Sequence, residues 1–198
     1  MKTERRKQIL DALHKCLLIK PFDRTTIKDI AEKAGMNHGM LHYYYKSKDD
    51  ILLAYIDYCL ELYTGIFQDW LNLNRSRFLS PEDSVHAMMD FMGEKITLNK
   101  DLSRIFIEIW EIGNYNGAVR KKLRETYREW ISVTTGFLND QFGESEKVNA
   151  MGVTIVALSE GLSLLSVILE PSDVTIKGLM PFFKEIISIA LKQEPVKG

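Results

Sequence analysis

Apolar residues recur along this chain at intervals of three and four, and no run alternates apolar with polar. Spacing near 3.6 places such residues on one side of a helix, whereas a half-buried strand needs a period of two. The pattern therefore predicts an all-α protein of about nine helices. Ile9, Leu13, Cys16 and Leu17 make one stripe of a first helix over about 3–19, with Pro21 behind it as a stop. A second helix starts at the Thr25–Thr26 pair, where Asp29 completes a capping-box pattern with Thr26. Its buried face is Ile27, Ile30, Ala31 and Ala34, and Gly35 follows, able to take the left-handed conformation of a sharp stop. Asn37 caps a short third helix over about 38–44, and Ser47 caps a long fourth one reaching about Leu73, apolar on more than one face.

Ser80, Pro81 and Asp83 form a strong start signal for a helix to about Leu98. Further helices are expected over about 101–112, up to 142 and over 145–169, with "GNYNG" at 113–117 as a turn. The last helix contains Pro181, so it is either kinked or begins near Leu179, and the tail "QEPVKG" frays. The stretch from Met151 to Leu169 approaches a membrane span in length, but Glu160 and three serines interrupt it. A buried bundle helix is the better reading, and no membrane partner is expected.

Composition narrows the class. With 198 residues and 45% hydrophobic content the chain can bury a core, and 27% charged residues suits an ordinary soluble protein. The net charge of −1 is unevenly spread: residues 1–50 carry 11 Lys+Arg against 7 Asp+Glu, the remainder 15 against 20. A basic head on an acidic body suggests that the head alone meets a polyanion. Cys16 and Cys59 sit among apolar helical residues, as small buried hydrophobes of a reducing, cytoplasmic compartment. No nucleophile–base pairing or phosphate loop suggests an enzyme, and no cofactor is implied. His38 and His42 have metal-ligand spacing, but Gly39 stands where a zinc-protease pattern needs Glu and no third ligand is nearby, so no metal is expected.

The second and third helices, joined by a tight Gly-containing turn, make a helix-turn-helix pattern. The run "TTIKDIAEKAGMNHGMLHYYYKSKDDIL" resembles the signature of the TetR family of transcriptional regulators at Thr26, Ile30, Ala31, Gly35, Asn37, Gly39, Leu41, Tyr44, Ser47, Lys48 and Asp49. His42 departs from the family's usual tyrosine and Tyr45 from its usual phenylalanine; "SEGL" at 159–162 resembles a feature of the eighth helix. The resemblance implies a three-helix DNA-binding head over 1–47 and a larger helical ligand-binding and dimerisation domain over 48–198. It implies a repressor that binds a palindromic double-stranded DNA operator as a homodimer and is released by a small, largely apolar effector. The alternative is a hydrophobe-binding protein on the same scaffold that no longer binds DNA.

Candidate DNA contacts are Thr26, Lys28, Asn37, His38, Gly39, Met40, His42, Tyr43, Tyr44 and Lys48. Phenolic hydroxyls donate to phosphate, a helix N-terminus attracts it, and glycine lets backbone approach closely. Leu41 and Tyr45 should face inward. Candidate effector contacts are Tyr63, Phe67, Trp70, Met88, Met92, Phe106, Trp110, Tyr115, Tyr127, Trp130 and Glu160, aromatic and thioether side chains with one carboxylate that would need a partner. The dimer face is expected at Val153, Val156, Ala157, Gly161, Leu164, Leu165 and Ile168, with Phe182, Phe183, Ile186, Ile187 and Ala190.

Overall fold

The structure, a computed structural model, describes residues 2–169 and 176–192. All regular structure among them is helical: α1 Lys2–Leu17, α2 Ile27–Lys33, α3 His38–Tyr44, α4 Lys48–Asn74, α5 Pro81–Met92, α6 Lys100–Tyr115, α7 Gly117–Phe142, α8 Glu146–Ile168 and α9 Ile176–Lys192. Short 3-10 turns occupy Phe22–Arg24 and Arg75–Arg77, and α5 runs on into a π-helical turn at Gly93–Thr97. Pro171 and the tail 193–198 lie outside the described residues.

The local signals act where they were expected. Thr26 and Asp29 form a reciprocal capping box on α2, and the side chains of Asn37, Ser80 and Ser145 accept N–H bonds that cap α3, α5 and α8. At the end of α2 the Met36 N–H reaches the Ala31 carbonyl at 2.9 Å and the Gly35 N–H reaches Glu32 at 3.0 Å. That paired closure needs a left-handed residue, which Gly35 supplies with φ +62°.

Three boundaries differ from the sequence reading. Helix α1 stops at Leu17, where the N–H groups of Ile19 and Lys20 both close back onto the Cys16 carbonyl. Helix α9 begins at Ile176 and carries Pro181 inside it. The expected turn at 113–117 is mostly helix, because α6 continues to Tyr115. Gly113 is there for packing: a Cβ would lie 2.8 Å from Leu123 Cδ1, so the glycine lets α7 come close. Asn116 alone breaks the helix, and its Oδ1 accepts the N–H groups of Ala118 and Val119 at 3.0 and 3.2 Å to cap α7.

The chain packs as two compact units, the first Met1–Tyr63 with Ile105–Tyr127, the second Thr64–Arg104 with Arg128–Gly198. Packing thus divides the chain inside α4, α6 and at Tyr127 of α7, whereas the functional division expected at 47/48 follows the DNA-binding motif. The first unit's core gathers Ile9, Leu13, Ile30, Leu41, Ile51, Leu52, Tyr55, Ile56, Ile105, Ile109 and Val119. Polar contacts pin α1 and α7 to α4: His14 Nδ1 meets the Tyr55 hydroxyl at 2.7 Å, Tyr58 donates to Asp11 at 2.6 Å, and Lys122 pairs with Asp57 at 2.9 Å. Burial pushes the Cys59 thiol up to about 12, against the opposing hydrogen bond from Tyr55, so it is an unreactive core group as expected.

The second unit's core contains Phe67, Val85, Met88, Met89, Met92, Phe137, Leu138, Ile155, Phe183 and Ile187. Helix α8 is long and apolar enough by length and composition to cross a membrane, yet one side of it is buried in this unit. It packs tightly on α7 at Gly152, where a Cβ would fall 2.2 Å from Thr135 Oγ1 and 3.1 Å from Thr135 Cα. The backbone on one side of that contact cannot swing away as a flexible side chain would. Gly152→Ala is therefore expected to destabilise the protein by about 1–3 kcal/mol, the usual range for overpacking. Urea denaturation reads the loss, and Thr135→Ala in the same chain should recover part of it. A Gly152→Ala protein as stable as the wild type would show that the helices separate freely here.

Candidate nucleic-acid interface

The inward residues of α2 and α3 fix what the outward ones can present. Ala31 and Ala34 are buried and small, so α3 lies close, and Leu41, fully buried, anchors it to the first unit's core. Tyr45 is buried beneath α3, with the Arg6 guanidinium 5.5 Å from its ring centre. With Leu41 and Tyr45 inside, Lys28, His38, Gly39, Met40, His42 and Tyr43 all stand exposed. Tyr43 is 72% exposed and carries the Lys2 ammonium 5.7 Å from its ring centre. Tyr44 is half-buried against the core and meets Tyr43 edge-on at 5.2 Å. His38 and His42 meet edge-on at 4.7 Å. Among the described residues no group of three or more His, Cys, Asp or Glu is placed to hold a metal ion.

Gly39 is exposed, and a Cβ there would meet only Asn37 Oδ1, at an ordinary 3.6 Å. Among the described residues nothing requires glycine at this point. The outward surface of α3 is thus unobstructed and presents two imidazoles, a thioether and a phenol ring.

Three expected contact residues also have structural work. The Thr26 hydroxyl accepts the Asp29 N–H at 3.1 Å and donates to the Asp29 carboxylate at 2.7 Å, and Asn37 Oδ1 accepts the Met40 N–H at 2.7 Å. The Lys20 ammonium bonded to Asp29, with Thr26 adding to it, holds that carboxyl well below the usual carboxylate range. The stability this lends is present above the ordinary carboxylate pKa and is lost only as strong acid protonates Asp29.

Lys48 differs most from expectation. Its ammonium donates to the carbonyls of Phe22 and Thr25 at 2.7 and 2.9 Å, approaches that of Asp23 at 3.4 Å, and lies 4.3 Å from the Phe22 ring centre. Its three donors are directed at the α1–α2 turn, so it is a brace before it is a phosphate ligand. Lys2 and Arg6, beside the tyrosines, are neighbours that the sequence reading did not single out. The basic run at the start of α1 was the available signal.

The expected effector residues fall into both units. Phe67, Met88 and Met92 are buried in the second unit's core, and Trp70 and Trp130 pack against it. Tyr115 is 91% exposed at the end of α6. In the first unit Tyr63, Phe106 and Tyr127 are half-buried, and Trp110 donates its indole N–H to the Tyr127 hydroxyl at 2.8 Å. Glu160 is half-buried in the second.

The expected dimer face also separates. Val156, Phe183 and Ile187 are buried in the chain's own second unit, and Ala190 packs against that core. The correction follows from helical geometry: a helix apolar on both sides cannot reveal from its sequence which side its own core takes. Val153, Ala157, Gly161, Leu164, Leu165 and Ile168 of α8 remain exposed, as do Phe182 and Ile186 of α9.

Residues 9–55 match the family model described as bacterial regulatory proteins, tetR family. An HTH-type transcriptional regulator in the dhlA 5′ region of Xanthobacter autotrophicus is 28% identical over 177 residues, 88% of this chain and 84% of that protein. Two solved structures share the fold. A TetR transcription regulator from Haloarcula marismortui superposes with a TM-score of 0.74 at 21% identity, covering 96% of this chain and 97% of that one. A transcriptional regulator from Saccharomonospora viridis, in complex with choline, gives 0.75 at 17% identity over 94% and 96%.

Proposed function

We propose that the chain is a DNA-binding transcriptional regulator of the TetR family, a repressor that binds a palindromic operator as a homodimer and leaves it when a small molecule binds. The observation that supports operator binding best is the outward face of α3. His38, Gly39, Met40, His42 and Tyr43 are exposed together on a helix whose other side is fixed by Leu41 and Tyr45. Such a helix enters the major groove, where side chains near its start reach base edges. Tyr43 and Tyr44 donate to phosphate oxygens, and Lys28 and Thr26 add contacts from the start of α2. Lys48 contributes chiefly by holding the turn in front of α2.

One head reads one half-site. Two heads placed one DNA turn apart, about 34–36 Å, read a palindrome, and the exposed apolar faces of α8 and α9 are the surfaces for pairing. The effector-facing candidates of the first unit are Tyr63, Phe106, Trp110 and Tyr127. An aromatic set of this kind suits an apolar molecule or, as choline in the Saccharomonospora viridis structure suggests, a small organic cation held over ring faces. A ligand that binds one geometry of the protein better than another shifts the population away from the operator-binding form.

Selection from a random-sequence duplex pool, followed by mobility shifts at several salt concentrations, tests this reading. A palindrome with half-sites about 10 base pairs apart should be enriched. If about six phosphates are neutralised, affinity should fall roughly 10³-fold between about 50 and 200 mM salt. Failure to enrich any palindrome, or salt-independent binding, sinks the operator reading.

A further inference from the structure

The turn between α1 and α2 is gripped from two distant parts of the chain. Lys48, from the start of α4, holds its carbonyls. On the other side the Glu108 carboxylate, from α6, accepts the Phe22 N–H across 86 residues of sequence. The chemistry explains why the turn needs it. Phe22 opens a 3-10 turn, so its N–H has no partner within that turn, and the residue before it, Pro21, has no side chain able to cap. Glu108 therefore acts as a tertiary cap. Burial pushes its carboxyl up while the Phe22 N–H pulls the other way, the sign of a bond that favours the ionised form. The turn it caps leads within four residues to Thr26, the first residue of the capping box that orients α2.

We propose that Glu108 is a positioning residue for DNA binding: by capping Phe22 it ties the pose of α2 and α3 to the position of α6. Loss of the cap leaves a buried donor unpaired, with the Lys48 ammonium still drawing on the other face of the turn, and the start of α2 is no longer fixed. An α6 displacement need not touch α3 to alter its reading pose. The inference rests on the operator-binding reading above.

Full-length Glu108→Met and Glu108→Gln separate this role from simple support of the fold. Methionine fills the space, removes the acceptor and ends the desolvation of a carboxylate. The relieved carboxylate offsets the unpaired Phe22 N–H, so its thermal midpoint should stay within about 4 °C of wild type while affinity for the selected duplex falls at least about tenfold. Glutamine keeps an acceptor oxygen and should bind within about threefold of wild type. Wild type that selects a duplex, with Glu108→Met binding it within twofold, overturns the inference alone. Wild type that selects no duplex overturns the operator reading and this inference with it. Should Glu108→Met fail to fold, amide exchange in the unaltered protein decides: the Phe22 amide should exchange more slowly with the selected duplex bound, and an unchanged rate overturns the proposal.

Discussion

Tyr45→Ala is expected to remove about 3–5 kcal/mol of folding stability, the range for truncating a buried aromatic side chain. Only 8% of Tyr45 is exposed, and its ring belongs to the core that also holds Leu41, Ile9 and Ile51. The Arg6 guanidinium over the ring would lose its partner as well. The matching change next door should behave in the opposite way. Tyr44→Phe leaves the half-buried ring in place and removes only the hydroxyl, so stability should hold while duplex affinity drops about five- to tenfold, the worth of one phosphate hydrogen bond near 1 kcal/mol. Denaturation profiles and mobility shifts on the two variants give a crossed pattern. A Tyr45→Ala loss below about 1 kcal/mol would mean the ring is not the anchor it is taken to be.

The paired substitution Leu164→Glu with Phe182→Glu should turn a dimer into a folded monomer and weaken operator binding by at least about 100-fold, since each half-site would be bound alone. Both positions are exposed in the chain itself, Leu164 at 44% and Phe182 at 60%, so carboxylates there meet water and the monomer keeps its core. In a dimer packed through these faces the same carboxylates would be buried without partners, at a cost of several kcal/mol each. Sedimentation and circular dichroism together read the outcome. Unchanged dimers would move the pairing surface elsewhere. Val156→Glu or Ile187→Glu, by contrast, should unfold the second unit, because those side chains are 3% and 2% exposed in its own core.

Much of the helix-turn-helix segment was legible in the sequence because its determinants are local. Thr26 with Asp29, Asn37 with Met40, and Gly35 at a helix stop act over three or four residues, which is the reach of a helix turn. The inward direction of Leu41 and Tyr45 is what the family resemblance implies, and both are buried. The Gly113–Gly117 segment departs from the expected turn for a physical reason. Glycine and asparagine usually signal a turn, but Gly113 answers to Leu123 on the next helix, and only Asn116 punctuates the chain.

The sequence by itself thus determined the all-helical class, most of the caps and the outward set on α3, since each depends on neighbours a few residues away. Only the tertiary structure decided what depends on distant partners. It sent the Lys48 ammonium to carbonyls 23 to 26 residues earlier, and the Glu108 carboxylate to a turn 86 residues earlier. It also chose which side of α8 and α9 enters the second unit's core: Val156, Phe183 and Ile187 inside, Leu164, Ile168 and Phe182 exposed. Burial of an apolar side chain is favourable on either side of such a helix, so composition cannot choose between them; the helices that happen to pack against it do.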